Sequence, residues 1–136
     1  MPSPDRTLYT TTARSSHGPD QVRIDGSGHK TVPVVTPPAP GSREADGWSP
    51  EDLYAAAVAT CLHQALTVVG GELRADLTGS EVSVQVDLEH SGNLRYGLTA
   101  RVSVDLPGVA DGTRSTLLEE AMRVFPLSTH VRVASP

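Results

Sequence analysis

One residue type suited to nucleophilic chemistry occurs once in this 136-residue chain, Cys61. A thiol attacks only as the thiolate, and a cation, a helix N-terminus or a hydrogen-bond donor must favour that form. Cys61 lies about three turns into an apolar stretch, Ala55 to Leu62, where help from a helix dipole has faded. Among Ala and Leu alone its pKa would rise, and it would serve as a small core hydrophobe. Glu51 precedes it by ten residues, close to three helical turns, so the two need not share a face. Glu51 and Asp52 are equally explained as first-turn acids that complement the helix dipole. His63 is two residues from Cys61, toward the opposite side of a helix, and is unsuited as that thiol's base. It reads as a core or interface residue. His17, His29, His90 and His130 are scattered, with no HxxxH or CxxC spacing, so no metal site is expected. No G-x-S-x-G, P-loop or G-x-G-x-x-G pattern occurs, and no cofactor is expected.

The elements that must position these residues are legible from pattern. Ser49-Pro50-Glu51-Asp52 is a helix start: a capping residue, proline at the first helical position, then two acids. The helix is expected to run to about Val69 and to stop at Gly70-Gly71. It is apolar around most of its circumference, which in so small a chain calls for cover from a second subunit. Before it, Leu8–Thr12, Gln21–Asp25 and Thr31–Thr36 read as short strands. Turns are expected at Ser15–Asp20 and at Asp25–Gly28, the second closing a hairpin. The Pro-rich stretch from Pro37 to Gly47 reads as a loop.

From Glu81 to Leu106, apolar and polar residues alternate on both sides of Ser91-Gly92-Asn93. That pattern predicts a long antiparallel hairpin with one buried face. A second helix opens at Asp111 or Thr113, with Leu117, Leu118, Ala121, Met122 and Phe125 as its apolar stripe, and ends at Pro126. Val131 and Val133 suggest a last strand. Segregated strands and helices define an α+β class, and the length fits a single domain over residues 1–136.

Composition excludes several functions. Eleven Lys and Arg face sixteen Asp and Glu, a net charge of −5, which argues against nucleic acid or an anionic membrane as partner. A single cysteine rules out an intrachain disulfide scaffold. No apolar run approaches the ~20 residues that span a bilayer, and no signal peptide is visible, so a cytoplasmic protein is the default expectation.

Leu8-Tyr9-Thr10, then Ser49-Pro50-Glu51-Asp52-Leu53-Tyr54-Ala55-Ala56-Ala57, then Ala59-Thr60-Cys61-Leu62-His63-Gln64-Ala65-Leu66 resemble the organic hydroperoxide resistance branch of the OsmC/Ohr family. That family carries N-P-E-x-L-[FY]-A-A-x-x-[AS]-x-C-F at this spacing. The resemblance implies an intertwined α+β homodimer, with two cysteine-bearing helices at its centre and antiparallel sheets wrapped around them. It also implies thiol peroxidase chemistry on organic hydroperoxides. Cys61 matches the peroxidatic cysteine, and Glu51 matches the acid that orients an activating arginine. Tyr54, Val58, Leu62 and Phe125, apolar residues near the thiol, would suit a fatty or aryl hydroperoxide and would equally suit an ordinary core.

Two departures stand out. The family's A-H-x-x-C-P-Y-S half-site is Ala121-Met122-Arg123-Val124-Phe125-Pro126-Leu127-Ser128 here. Phe125 replaces the resolving cysteine and Met122 the histidine, so an external thiol or dithiol acts directly on the sulfenic acid, or reduction does not occur at all. The slot of the activating arginine falls near Pro19, and the nearest arginines are Arg14 and Arg23. Arg14, beside a turn, is the first candidate. The rival readings are a non-catalytic relative that binds a small apolar ligand or senses oxidation through Cys61, and a plain structural dimer with an inert thiol.

Overall fold

The computed structural model describes residues 6–16, 21–26, 28–35, 47–92, 95–125 and 127. Two compact units divide the chain, Met1–Pro50 and Glu51–Pro136.

The first unit is a three-stranded antiparallel sheet, β1 (Thr12–Ser15), β2 (Gln21–Asp25) and β3 (His29–Pro33), in sequential order. The β2–β3 hairpin forms at the expected Asp25–Gly28 turn and pairs Asp25 with His29. The first strand lies four residues later than the Leu8–Thr12 pattern predicts. Leu8 and Tyr9 are 81% and 66% exposed, so no core holds them in a ladder. Trp48 lies alongside the end of β3: its N–H donates to the Pro33 carbonyl at 2.9 Å, and its own carbonyl accepts from Val35 at 3.0 Å.

The second unit holds helix α1 (Pro50–Leu73), strands β4 (Glu81–Ser91) and β5 (Arg95–Asp105), and helix α2 (Asp111–Val124). Pro50 takes the first helical position, with Glu51 and Asp52 in the first turn, as the sequence predicts. The helix runs past Gly70-Gly71 to Leu73, a correction with a clear cause. Its end is a Schellman motif: Ala75 N–H donates to the Gly70 carbonyl at 2.8 Å and Arg74 N–H to Gly71 at 3.3 Å, with Arg74 at φ 54°. Arginine, not glycine, takes the left-handed position. Gly70 serves close packing instead, since a Cβ there would sit 2.9 Å from Leu77 Cδ1.

Leu62, Ala65, Leu66 and Val69 of α1 meet Leu106, Val109, Leu117 and Ala121 in one buried cluster. Leu66 and Leu117 are fully buried. Val82 and Val104, paired at the base of the β4–β5 hairpin, pack against the cluster together with Leu77, Leu118 and Phe125. Farther out the expected buried face is open: Leu88, Leu98 and Val102 are nearly half exposed. Strands of this length reach roughly 35 Å, whereas α2 offers about 20 Å of helix to cover them. Met122, assigned to the apolar stripe of α2 by sequence, is 57% exposed. The proposed last strand at Val131 and Val133 and the loop from Pro37 fall outside the described residues, apart from Gly47. By length and composition α1 is also apolar enough to cross a membrane. The core helix of a soluble protein meets the same measure, and one flank of α1 is seated in protein.

Candidate functional site

The side chains of interest lie along the N-terminal two-thirds of α1. At about 100° per residue, Val58, Leu62, Ala65 and Val69 form the buried stripe, and Cys61 flanks it. The thiol is accordingly half-buried, neither sealed in the core as an inert hydrophobe nor fully open. Tyr54, seven positions earlier, lies within about 20° of Cys61 around the helix. It is 41% exposed, whereas Val58 and Leu62 are buried.

Glu51 lies in line with the buried stripe, seven residues before Val58. One of its carboxylate oxygens, Oε2, is fully buried with no hydrogen-bond partner among the described residues. A buried carboxylate oxygen without a donor costs free energy, so this atom marks a position where a donor belongs. Glu51 and Cys61 are separated by roughly 15 Å of helix rise. Over that distance the acid and the thiol make no direct contact.

Arg14 and Arg23, the two arginines the sequence brings forward, lie opposite each other in the β1–β2 ladder. Both bond to Asp25. Arg14 Nη1 donates to Oδ2 at 2.7 Å, and Arg23 Nε lies 3.3 Å from each oxygen. His29 Nδ1 sits 2.6 Å from Oδ1. This gathering holds the Asp25 carboxyl below the ordinary carboxylate range, chiefly through the His29 hydrogen bond and then that of Arg23.

Phe125 is half-buried at the end of α2 and packs against the core cluster. His63 is not beside the thiol in any hydrogen bond; its Nε2 lies 2.9 Å from Ser80 Oγ, tying the middle of α1 to the start of β4. Ser80 carries no sequence signal for this role, because the link spans two elements. Asp25 does carry one: strand alternation puts it on the face of Arg23, and the short turn sets it opposite His29. A shallow groove on the hairpin, lined by residues including Ser83, Gln85 and Arg101, contains none of the candidate residues. Among the described residues, no group of three or more His, Cys, Asp or Glu is placed to hold a metal ion.

The fold and the helix-borne cysteine define a class. The family model for OsmC-like protein matches residues 43–132, and the chain belongs to that family. An organic hydroperoxide resistance protein of Xanthomonas axonopodis pv. citri is 28% identical over 135 residues, covering 97% of this chain and 93% of the relative. An organic hydroperoxide resistance protein-like relative from Mycoplasma pneumoniae is 33% identical over 128 residues, covering 92% and 88%. Among solved structures, an organic hydroperoxide resistance protein from Elizabethkingia anophelis with thiocyanate bound aligns with a TM-score of 0.76 and 27% identity, over 91% of this chain and 89% of that one.

Proposed function

We propose that this protein reduces organic hydroperoxides to alcohols through Cys61, as a one-cysteine member of its family acting as a single domain over residues 1–136. The observation that carries the reading is the pair on α1: a half-buried thiol and, ten residues before it, a buried carboxylate oxygen lacking a donor. The curated relatives, named as organic hydroperoxide resistance proteins, support the substrate class.

In the proposed step the Cys61 thiolate attacks the distal oxygen of the hydroperoxide. An S–O bond forms, the O–O bond breaks, and the departing alkoxide takes a proton to leave as the alcohol. Sulfur is oxidised by two electrons to the sulfenic acid. The resemblance assigns an arginine, oriented by Glu51, to hold the thiolate ionised and to stabilise charge on the departing oxygen; within its own unit Arg14 is bonded to Asp25. Exposed Tyr54 and half-buried Phe125 offer apolar surface for a fatty or aryl substituent, whereas Val58 and Leu62 are buried.

With Phe125 in the second half-site and one cysteine in the chain, no intrasubunit disulfide can form. An external thiol condenses with the sulfenic acid, releasing water and leaving a mixed disulfide, and a second thiol group then exchanges Cys61 free. No cofactor enters this cycle. The open outer half of the hairpin face, with Leu53 and Val68 exposed on α1, favours a homodimer in which a second copy covers them. A cytoplasmic location fits the proposed thiol chemistry, and the net charge of −5 disfavours nucleic acid or an anionic membrane as partner.

The test is consumption of cumene hydroperoxide in the presence of dithiothreitol, beside hydrogen peroxide and a Cys61→Ser control. Thiol-dependent loss of the organic peroxide that vanishes in the control supports the enzyme. No difference between the proteins refutes it. A second reading is favoured by one observation, the apolar filling of the resolving site by Phe125. In that reading the fold binds a small apolar ligand or senses peroxide stoichiometrically. One oxidation per Cys61 without turnover would select it.

A further inference from the structure

Two side chains of the second unit flank the buried stripe of α1 from opposite sides. At about 100° per residue, Cys61 lies one step before buried Leu62 and His63 one step after it. Both flanking residues are half-buried. The His63 flank meets the segment that leads into β4. Gly70, seven residues on and within about 20° of His63 around the helix, lies against Leu77, close enough that a Cβ would stand 2.9 Å from Leu77 Cδ1. Three residues after Leu77, half-buried Ser80 places its Oγ 2.9 Å from His63 Nε2. That segment is itself tied: Ser80 N–H donates to the Leu77 carbonyl at 2.9 Å, and Thr78 N–H to the Asp76 carboxylate at 3.0 Å. A braced turn is therefore applied to one flank of α1 by an apolar contact and a polar one, about two helical turns apart. Of the two, only the hydrogen bond has the directionality to resist rolling of the helix about its own axis.

We propose that His63 is a positioning residue for Cys61: its hydrogen bond with Ser80 fixes the roll of α1 and so holds the thiol at the half-buried edge of the packed stripe. For hydroperoxide reduction this rests on the reading of Cys61 as the reacting thiol. The direction follows from the cost of burying a polar group. A half-buried imidazole that loses its partner is drawn toward water. Rolling His63 outward turns Cys61, on the opposite flank, inward among the apolar side chains, where a reagent meets it less often.

The test is the rate of Cys61 alkylation by iodoacetamide in the native protein across a pH series, beside the unfolding midpoint of each variant. Ser80→Ala is expected to slow alkylation by about threefold, within the bias that one hydrogen bond can exert, by the same factor at every pH. Ser80→Thr, which keeps the hydroxyl, is expected to retain the wild-type rate, and Ser80→Val, of the same shape without the hydroxyl, to slow like the alanine. The Thr and Val pair keeps the comparison valid should Ser80→Ala disturb the start of β4. In a His63→Ala background, Ser80→Ala should change nothing further. A tie that serves stability alone would lower the unfolding midpoint and leave the alkylation rate of the folded protein at the wild-type value, and that result overturns the proposal. An equal loss in both backgrounds overturns it too, as does a shift of the pH midpoint without a common loss of rate, which would mean that His63 acts through its charge. Hydroperoxide loss is scored separately: alkylation that follows the expected pattern without peroxide consumption leaves the positioning role standing and removes the enzyme reading.

Discussion

The two ends of α1 are built for different work. From Leu62 to Gly70 the helix supplies Leu62, Ala65, Leu66 and Val69 to the core, and Gly70 lets Leu77 close against it. From Pro50 to Cys61 the same helix exposes Leu53 and Tyr54, buries one oxygen of Glu51 without a donor, and leaves the thiol at the edge of the packed stripe. The contrast separates a packed stretch from an adjacent stretch of the same helix that carries the candidate residues. Packing of the C-terminal part seats the helix in the core, while the N-terminal part leaves one buried carboxylate oxygen, Glu51 Oε2, without a donor among the described residues. Substitutions in the two parts should therefore separate cleanly.

The largest expected effect is in the packed part. Leu66→Ala should cost about 2–5 kcal/mol of unfolding free energy, because Leu66 is fully buried and its neighbours cannot all collapse into the space. Chemical denaturation measures this. Cys61 reactivity per folded molecule should be retained. Gly70→Ala should come next: the added methyl meets Leu77 at 2.9 Å. Overpacking of about 1–3 kcal/mol then outweighs the gain of roughly 1 kcal/mol in helix propensity, for a net loss readable in the thermal midpoint. Glu51→Gln sharpens the contrast from the other side. Oxidation of Cys61 by cumene hydroperoxide should slow by about tenfold, on the order of 1.4 kcal/mol, with the unfolding midpoint little changed. A large stability loss with unchanged oxidation would erase the distinction between the two parts.

The smallest effect lies in the first unit. Asp25 has its folded pKa lowered beneath the ordinary 3.8, first by His29 and then by Arg23. The unfolded state therefore binds the proton more readily. Its contribution to stability is complete above pH 3.8 and is lost as the pH falls through the lower folded value. Carboxyl chemical shifts across an acid titration should place the Asp25 midpoint below that of an exposed aspartate, and Asp25→Asn should flatten this part of the acid limb.

Much of this was legible in the chain. Alternation on both sides of Ser91-Gly92-Asn93 predicted the hairpin and its apolar face; the register, with Val82 opposite Val104, comes from the structure. The Ser49-Pro50-Glu51 start held because a cap, a proline and dipole-matched acids all agree on one residue. Gly70-Gly71 misled, because a glycine pair signals either a left-handed cap or a close approach, and Leu77, the side chain that decides, is seven residues away. The first strand shifted because Leu8 and Tyr9 have no buried face to settle on, so local β propensity did not fix its start. For the site, spacing delivered Cys61 and Glu51 as candidates but carried no trace of the buried, donorless Oε2, which depends on packing. Nor did spacing show that Arg14 and Arg23 converge on one carboxylate, a result of sheet register.

The most direct test of Cys61 as the reacting thiol is mass spectrometry of the native protein after brief treatment with a slight excess of cumene hydroperoxide, beside hydrogen peroxide and with a sulfenic-acid trap. Rapid oxidation confined to Cys61, faster with the organic peroxide and captured by the trap, is the predicted result. A Cys61 left untouched at millimolar peroxide would contradict the account, leaving a family fold kept for binding or structure alone.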